Sequence, residues 1–265
     1  MGDIIRIGTR GSPLALAQAL ETRARLMQAL NRAQDTFEIV AIKTTGDMVR
    51  DRPLSEIGGK GLFTKELEEA LLEGRIDVAV HSMKDMPSHV PQGLEIGAVL
   101  PREDVRDAFI SLSVKSLRGL PQGAKLGSSS VRRTAQALRW RPDLVVAPFR
   151  GNVETRLEKL KQGVADATFL AAAGLKRLGL SAHITSLISV DEMLPAIAQG
   201  AIALQVKHGS GALAMWRRSI MRKATSPSHV SAPSWQLWMA RAARPLPAWR
   251  FCKVAILYFV ERLSH

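Results

Sequence analysis

The sequence predicts an α/β protein, and three features of the chain indicate this fold class. Short apolar runs rich in β-branched residues alternate with amphipathic helical stretches over residues 4–206. The length of 265 residues is enough for one large or two medium domains with real cores. The alternation restarts after the polar, proline-led stretch Pro101–Asp104. We therefore expect two α/β lobes with parallel-rich sheets.

The first lobe begins with a strand–helix–strand unit. Ile4–Thr9 is predicted as a strand, and Ser12 as the N-cap of a helix that starts with Pro13 and runs to about Leu30. The chain then returns as a strand over Phe37–Ile42. Such a unit is typical of a parallel sheet.

The polar, glycine-rich stretch Lys43–Phe63 follows, and a connection of this length indicates a lid, a binding loop or disorder. Thr64 is expected to cap a helix over Lys65–Glu73, which Gly74 ends. A buried strand is then predicted over Ile76–Val80.

Further elements complete the two lobes. Strands are predicted over Leu94–Val99, Leu144–Ala147 and Ala167–Ala171, and helices over Val131–Trp140, Asn152–Gln162 and Ala173–Leu180. The segment Pro195–Ala201 is expected to cross back to the first lobe. We therefore assign residues 1–100 with 200–206 to lobe 1, and residues 101–199 to lobe 2.

A cluster of polar side chains follows the strand that ends at Val80. His81, Ser82, Lys84 and Asp85 come together before Pro87, which blocks a helix and holds the cluster on a loop. Open α/β sheets place their ligand crevices at such strand ends, and the neighbouring lysine favours an ionised aspartate. The alternative is that Lys84 and Asp85 are ordinary solvated charges, and this stretch alone leaves both interpretations open.

Several arginines follow predicted strands at positions where a surface charge is locally unfavourable. Two of them sit in the first turn of a helix, behind the hydroxyls of Ser128–Ser130, although helix N-termini attract anions and disfavour cations. The set consists of Arg10, Arg132, Arg133, Arg150 and Arg156. For any single arginine, an ion pair with Asp or Glu is the favoured explanation, whereas the whole set favours a polyanionic ligand in one cleft.

Composition limits the other classes of function. The chain has a formal net charge of +13, but residues 1–206 carry 27 Lys/Arg against 23 Asp/Glu, and residues 207–265 carry 10 against 1. An interpretation as a nucleic-acid-binding protein therefore depends on the positive charge of residues 207–265, the tail. Cys252 is the only cysteine, so no intrachain disulfide can form and a reducing compartment is expected. We expect no secretion signal in residues 1–20, and Phe251–Val260 is too short to span a bilayer.

Motifs for other cofactors are not found in the sequence. No glycine-rich phosphate loop or dinucleotide fingerprint follows a strand. His81 and His89 have no ligand-spaced Cys or His partners, so no metal site is expected.

Seven stretches in the same order along residues 4–202 resemble the porphobilinogen deaminase family, also called hydroxymethylbilane synthase. They are Ile7–Leu16, Gly58–Phe63, His81–Pro87, Gly127–Arg133, Arg150–Leu157, Ala173–Gly179 and Gln199–Ala201. The resemblance implies two periplasmic-binding-protein-like lobes around a cleft, plus a third small α/β domain. It also implies a cytoplasmic, monomeric transferase of porphyrin and haem biosynthesis, which joins four porphobilinogen molecules into hydroxymethylbilane with release of ammonia.

The resemblance also implies roles for individual residues. Asp85 would be the catalytic carboxylate, and a dipyrromethane cofactor would be bound covalently to a cysteine. The residues implied to bind cofactor or substrate are Arg10, Lys60, Ser82, Lys84, Ser129, Ser130, Arg132, Arg133, Arg150, Arg156, Gln199 and Gly200. Residues 43–63 would be a mobile lid that carries Lys60. Some members of the family have a lysine where this chain has Glu56.

The tail departs from the family, in which a third domain carries the cofactor cysteine within Leu-Asp-Gly-Ser-Cys-Arg-Thr-Pro. This chain has Trp235–Ala248 at that place. The single codons of Trp238 and Met239 read Asp-Gly when the frame is shifted, and the following codons permit Ser-Cys-Arg-Thr-Pro. We therefore interpret residues 207–265 as an aberrant, out-of-frame remnant of the third domain, and expect that Cys252 is not the attachment cysteine.

Two other functions remain as alternatives. A two-lobed protein that binds anions without catalysis would also place arginines around a cleft, but a carboxylate such as Asp85 would repel its ligand. A nucleic-acid binder would depend on the charge of the tail. We expect no nucleic-acid or membrane partner.

Overall fold

Two five-stranded mixed sheets form the framework of the protein in its structure, a computed structural model that describes residues 4–48, 61–87 and 89–210. The strands are β1 (Ile5–Arg10), β2 (Phe37–Ile42), β3 (Val78–Ser82), β4 (Leu94–Val99), β5 (Asp107–Ser111), β6 (Lys125–Gly127), β7 (Val145–Ala147), β8 (Ala167–Ala171), β9 (Ser186–Leu187) and β10 (Ile202–Lys207). The helices are α1 (Pro13–Leu30), α2 (Thr45–Met48), α3 (Lys65–Leu72), α4 (Val131–Trp140), α5 (Val153–Lys161) and α6 (Ala172–Arg177).

The two sheets have the same plan. Sheet 1 has the strand order β2-β1-β3-β10-β4, and sheet 2 has the order β7-β6-β8-β5-β9. In each sheet three neighbouring strands are parallel and the remaining contacts are antiparallel. The predicted α/β class with parallel-rich sheets is confirmed. The exact boundaries of the two lobes stay a prediction, although sheet 1 takes its last strand from residues 202–207.

Residues at its two ends determine where helix α1 begins and where it stops. The Ser12 hydroxyl accepts a hydrogen bond from the Ala15 amide at 3.3 Å, and the helix begins at Pro13, as predicted. It ends at Asn31, which adopts the left-handed conformation (φ 51°). Its inner face includes the fully buried Leu26, which packs into the core of sheet 1.

The region around β3 differs from the prediction. The strand starts and ends two residues later than expected, so that His81 and Ser82 belong to it rather than to a loop. The antiparallel partner β10 extends the strand, because Ile202 pairs with Ser82. Lys84 and Asp85 then lie in a 3₁₀ turn. The cap predicted for Thr64 is wrong, since its side chain makes no capping hydrogen bond.

Four strands were not predicted from the sequence: β5, β6, β9 and β10. Both β5 and β10 lie inside their sheets between antiparallel neighbours from distant parts of the chain. Their residues are buried on both faces, so the alternating pattern of a half-exposed strand is absent.

The chain crosses between the sheets twice, and the two crossings lie against each other. The Glu103 amide donates to the Gly200 carbonyl at 3.2 Å, and Arg102 Nε donates to the Gln199 carbonyl at 2.8 Å. Ala198 (φ 56°) and Gly200 (φ 89°) both have left-handed backbones. These contacts fix the hinge, which we define as residues 100–106 and 198–201.

An ion pair joins α1 to α6 beside this hinge. Arg177 Nε donates to Glu21 Oε2 at 2.9 Å, and Arg177 Nη2 donates to the Gly200 carbonyl at 3.0 Å. The arginine side chain is only 8% exposed, so water screens the pair weakly. None of the described helices is both long and apolar enough to cross a membrane.

The hinge geometry predicts the effect of replacing Gly200 by alanine. An added Cβ would lie 2.4 Å from the Glu103 carbonyl oxygen on a left-handed backbone. We expect Gly200→Ala to lower the free energy of unfolding by about 3 kcal/mol, from backbone strain plus overpacking. Gly179→Ala is the matched control, because Gly179 has φ 70° but open space around it, and we expect a loss of about 1 kcal/mol. Urea denaturation of both variants measures this, and equal losses would contradict the explanation.

Candidate functional site

Asp85 lines a small pocket at the C-terminal end of β3. The pocket has a volume of about 60 Å³, and its polar lining comes from β1, α1 and β3. The lining residues that bear on the chemistry are Arg10, Ser12, Gln18, His81, Ser82 and Asp85. The Asp85 side chain is exposed and makes no hydrogen bond or ion pair with another described residue. The pocket therefore presents a carboxylate that is available to a ligand.

Arg10 is held at this pocket by a carboxylate and an aromatic ring. Its Nε donates to Asp47 Oδ2 at 3.1 Å, and its Nη2 donates to Asp47 Oδ1. The guanidinium carbon lies 4.1 Å from the centroid of the Phe63 ring, within range of a cation–π interaction. For Arg10 the ion pair that we considered as the alternative is therefore present.

A buried polar chain runs behind the pocket from His81 to α3. Gln205 Nε2 donates to Glu68 Oε1 at 3.2 Å, which turns the Gln205 carbonyl oxygen toward His81 Nε2 at 2.9 Å. His81 must then donate from Nε2, and it is neutral. Burial lowers the pKa of His81 to about 4, while the Gln205 hydrogen bond raises it and the charge of Arg10 lowers it further. His81 therefore carries no charge at neutral pH.

Arg132 and Arg133 share one buried carboxylate. Arg133 Nη2 lies 2.7 Å from Asp107 Oδ1, and Arg132 Nη2 lies 2.7 Å from Asp107 Oδ2. Asp107 is fully buried. Burial would raise its pKa, but the two guanidinium groups together hold it below the usual range. Here too the ion pair that we considered as the alternative is present, and its carboxylate was not identified from the sequence.

Arg150 and Arg156 have no such carboxylate within the described part of the chain. Arg156 Nε donates to the Gly151 carbonyl at 2.9 Å, and Arg150 Nη1 is buried without a hydrogen-bond partner among the described residues. Burial together with the charges of Arg133 and Arg150 lowers the pKa of Arg156 to about 10. The charges of Arg133 and Arg150 thus act on Arg156, and both Arg150 and Arg156 lack a counter-charge among the described residues.

Lys84 connects this arginine cluster with Asp85. The side chain of Lys84 keeps exposed surface, yet the surrounding protein removes enough hydration to lower the pKa of its ammonium group. Asp85 and Asp107 raise that pKa, whereas Arg133 and Arg132 lower it. The ammonium group of Lys84, which follows sheet 1, therefore lies within electrostatic range of Arg132, Arg133 and Asp107 of the sheet 2 part. We call the space beside Lys84, Asp85 and these arginines the crevice.

The predicted serines lie close to these groups. Gln18 Nε2 donates to Ser82 Oγ at 2.8 Å, which holds that hydroxyl at the pocket. Ser129 Oγ accepts from the Phe149 amide at 2.9 Å, and Ser130 Oγ caps α4 by accepting from the Arg133 amide at 3.4 Å. Ser130 therefore stabilises the start of α4, whereas the Ser129 hydroxyl can still donate a hydrogen bond to a further acceptor.

Other predicted positions lie away from the crevice or outside the described residues. Gln199 is fully buried and Gly200 forms part of the hinge, so their contact with a ligand stays a prediction. Lys60, Glu56 and Cys252 lie outside the described residues. Sequence reasoning missed the role of Asp107. The sequence feature that could have identified it is the position of Asp107 directly before the apolar run 108–110.

The chain is similar to porphobilinogen deaminases. A family model described as porphobilinogen deaminase, dipyromethane cofactor binding domain, matches residues 5–215. The porphobilinogen deaminase of Paracoccus denitrificans is 64% identical over 201 residues, which are 76% of this chain and 64% of the relative. The chloroplastic porphobilinogen deaminase of Oryza sativa subsp. japonica is 56% identical over 225 residues, 84% of this chain and 63% of the relative.

A solved structure also resembles the chain. A nutrient-binding protein from Burkholderia cenocepacia, bound to methionine, aligns with 84% of this chain and 92% of its own, at 15% identity and a TM-score of 0.49. In the sequence comparisons, this chain spans less than two thirds of the length of each curated relative named above.

The buried histidine predicts a pH dependence of stability. His81 has a pKa of about 4 when folded, against 6.5 as a free side chain, so the unfolded chain binds the extra proton as the pH falls below 6.5. Stability from this group is complete above pH 6.5 and is lost down to about pH 4, by about 3 kcal/mol. We expect His81→Gln to remove that part of the pH dependence of urea unfolding. The control His183→Gln changes an exposed histidine and should keep the wild-type profile; an unchanged profile in His81→Gln would contradict the assignment.

Proposed function

Because this chain belongs to the porphobilinogen deaminase family, we propose that its described part forms the catalytic lobes of a hydroxymethylbilane synthase. The proposed substrate is porphobilinogen, a pyrrole with an acetate arm, a propionate arm and an aminomethyl group. Four molecules condense head to tail, and each loses ammonia. We further propose that residues 1–100 with 200–206 and residues 101–199 are its two lobes.

One observation carries this proposal: an exposed carboxylate shares a crevice with a group of cations that outnumber their local counter-charges. Asp107 compensates Arg132 and Arg133 only in part, and Arg150 and Arg156 have no carboxylate partner among the described residues. Paired guanidinium groups bind carboxylates in a two-pronged geometry. The acetate and propionate arms of a pyrrole chain supply the missing negative charge.

The same residues fit the family's dipyrromethane cofactor. The buried, unpartnered Nη1 of Arg150 and the lowered pKa values of Lys84 and Arg156 indicate cations that a carboxylate-bearing ligand would stabilise. Arg132, Arg133, Arg150, Arg156 and Lys84 would hold its carboxylate arms. When bound, the cofactor supplies the pyrrole carbon to which the first substrate ring is joined.

Asp85 supplies the opposite charge where the reaction needs it. When the aminomethyl C–N bond of porphobilinogen breaks and ammonia leaves, a positive charge develops over the substrate's ring nitrogen and methylene carbon. A crevice lined with cations would destabilise that charge, and Asp85 is the carboxylate placed to compensate it. It would accept a hydrogen bond from the pyrrole N–H, and hold the proton that the attacking ring carbon loses.

The remaining residues orient the substrate. Ser82, held by Gln18, and Ser129 present hydroxyls to the crevice. We retain Arg10 as a ligand-binding residue. Its guanidinium group would bind the ligand while it is also paired with Asp47. Lys60 on the predicted lid, Gln199 and Gly200 stay predicted contacts. We propose a monomeric, cytoplasmic protein in haem biosynthesis.

Replacing Asp85 separates catalysis from binding. In a chain whose third-domain reading frame has been restored, we expect Asp85→Asn to reduce the rate of hydroxymethylbilane formation by a factor of about 10² to 10³ or more, because the developing charge loses its carboxylate. Asp35→Asn, at an exposed position, is the control that should keep wild-type turnover.

The same variant decides between the enzyme and a non-catalytic anion-binding protein. A plain anion binder would show no turnover in the repaired wild type, and its affinity for porphobilinogen would stay the same or improve in Asp85→Asn. Such a result would replace the enzymatic proposal by the binding one.

We also propose that residues 207–265 are an out-of-frame remnant, and that this chain lacks the cysteine to which the cofactor is joined. The shifted-frame reading of residues 235–248 supports this proposal. We expect mass spectrometry of the purified chain to give the mass of the unmodified polypeptide. A dipyrromethane adduct on Cys252 would contradict the proposal, and a resequenced gene with the same tail in frame would remove the frame-slip explanation.

A further inference from the structure

Asp107 lies where the two crossings of the hinge meet the arginine pair. It is the first residue of β5, directly after residues 100–106 of the hinge. Its Oδ1 accepts from Arg133 Nη2 at 2.7 Å, from Arg133 Nε at 3.2 Å and from Gln199 Nε2 at 3.0 Å. Its Oδ2 lies 2.7 Å from Arg132 Nη2. Three hydrogen bonds therefore fix Oδ1, whereas Oδ2 is held by the ion pair with Arg132.

Gln199 fixes this carboxylate from the other crossing. Its Nε2 also donates to the Val105 backbone carbonyl at 2.8 Å, and the backbone carbonyl of Gln199 accepts from Arg102 Nε at 2.8 Å. The side chain of Gln199 is completely buried in this structure. Its hydrogen bond to Asp107 gives it an indirect effect on the crevice as well.

The arginines need such an anchor. Both lie in the first turn of α4, where the helix dipole disfavours positive charge, and they repel each other. The Arg133 side chain is 9% exposed and is bound on one edge by Asp107, whereas the Arg132 side chain is 24% exposed and reaches further into solvent. The shared carboxylate binds both guanidinium groups at once and so defines the direction of each, most completely for Arg133, which it contacts through two nitrogens.

We propose that Asp107 is a positioning residue, fixed by Gln199, that orients Arg132 and Arg133 toward the carboxylate arms of the ligand. This proposal rests on the proposed function for the nature of the ligand. The proposal predicts the direction in which ligand affinity changes when Asp107 is replaced, because Asp107 is itself an anion. As a simple counter-charge it would weaken the binding of an anionic ligand, whereas as an anchor for the arginines it strengthens that binding.

The test is isothermal titration of the full chain with porphobilinogen, comparing wild type with Asp107→Asn and Gln199→Met. Asp107→Asn keeps the shape of the buried side chain. We expect its affinity to fall about ten-fold or more, the equivalent of one charge-assisted hydrogen bond, although the crevice becomes more positive. Gln199→Met changes no charge, and we expect a smaller loss in the same direction.

Asp143→Asn is the matched control. Arg141 and Asp143 form another two-pronged pair connected with sheet 2, with contacts of 2.7 Å from both Nε and Nη2, but nothing links them to the crevice. This variant should lose stability without a change in affinity. Unchanged or tighter binding by folded Asp107→Asn overturns the proposal. If Asp107→Asn does not fold, unchanged affinity in Gln199→Met overturns it.

A wild type that binds no porphobilinogen would contradict the proposed function, and the arginine signals of the ligand-free chain then decide this inference. In ¹⁵N NMR spectra we expect the Arg133 Nε–H resonance to shift and to exchange faster with water in Asp107→Asn, and to a lesser degree in Gln199→Met. Identical Arg133 resonances in all three proteins would overturn the positioning role.

Discussion

The repulsion among the cations of one crevice is the constraint on which the site depends. Burial, together with the neighbouring charges of Arg133 and Arg150, lowers the pKa of Arg156 to about 10. Burial also lowers the pKa of Lys84, to which Arg133 and Arg132 contribute. Asp107, fully buried, compensates part of the charge from inside the protein. The remainder faces the crevice, where a ligand that carries several carboxylates can compensate it.

The fold explains why these groups meet. Each sheet places three parallel strands side by side, and the polar residues follow the C-terminal ends of those strands. Lys84 and Asp85 follow β3 of sheet 1, whereas the arginine pair, Arg150 and Arg156 follow β6 and β7 of sheet 2. The hinge with Gly200 and the Arg177–Glu21 pair hold the two groups near each other. The chemistry thus depends on contacts made far from the reacting atoms.

Much of the fold could be predicted because its signals are local. The Ser12 cap with Pro13, the Ser130 cap of α4 and the Asn152 cap of α5 each lie within a few residues of the backbone amide that they satisfy. β5 and β10 were missed because their pairing partners are distant in sequence. Asp107, the partner of Arg133, lies 26 residues away from it in the sequence. Asp107 is also bound by Gln199, which is 92 residues from Asp107. No local pattern specifies such contacts, so the placement of the arginines could be predicted but not their shared carboxylate.

The central claim is that the uncompensated cations opposite Asp85 bind the carboxylate arms of a pyrrole. The crystal structure of this chain with porphobilinogen tests it most directly. The account predicts a carboxylate of the ligand about 3 Å from the guanidinium nitrogens of Arg150 or Arg156, with the ring nitrogen of the pyrrole at hydrogen-bond distance from Asp85. A ligand bound outside this crevice, or bound in it with Asp85 turned away from the ring, would contradict the account.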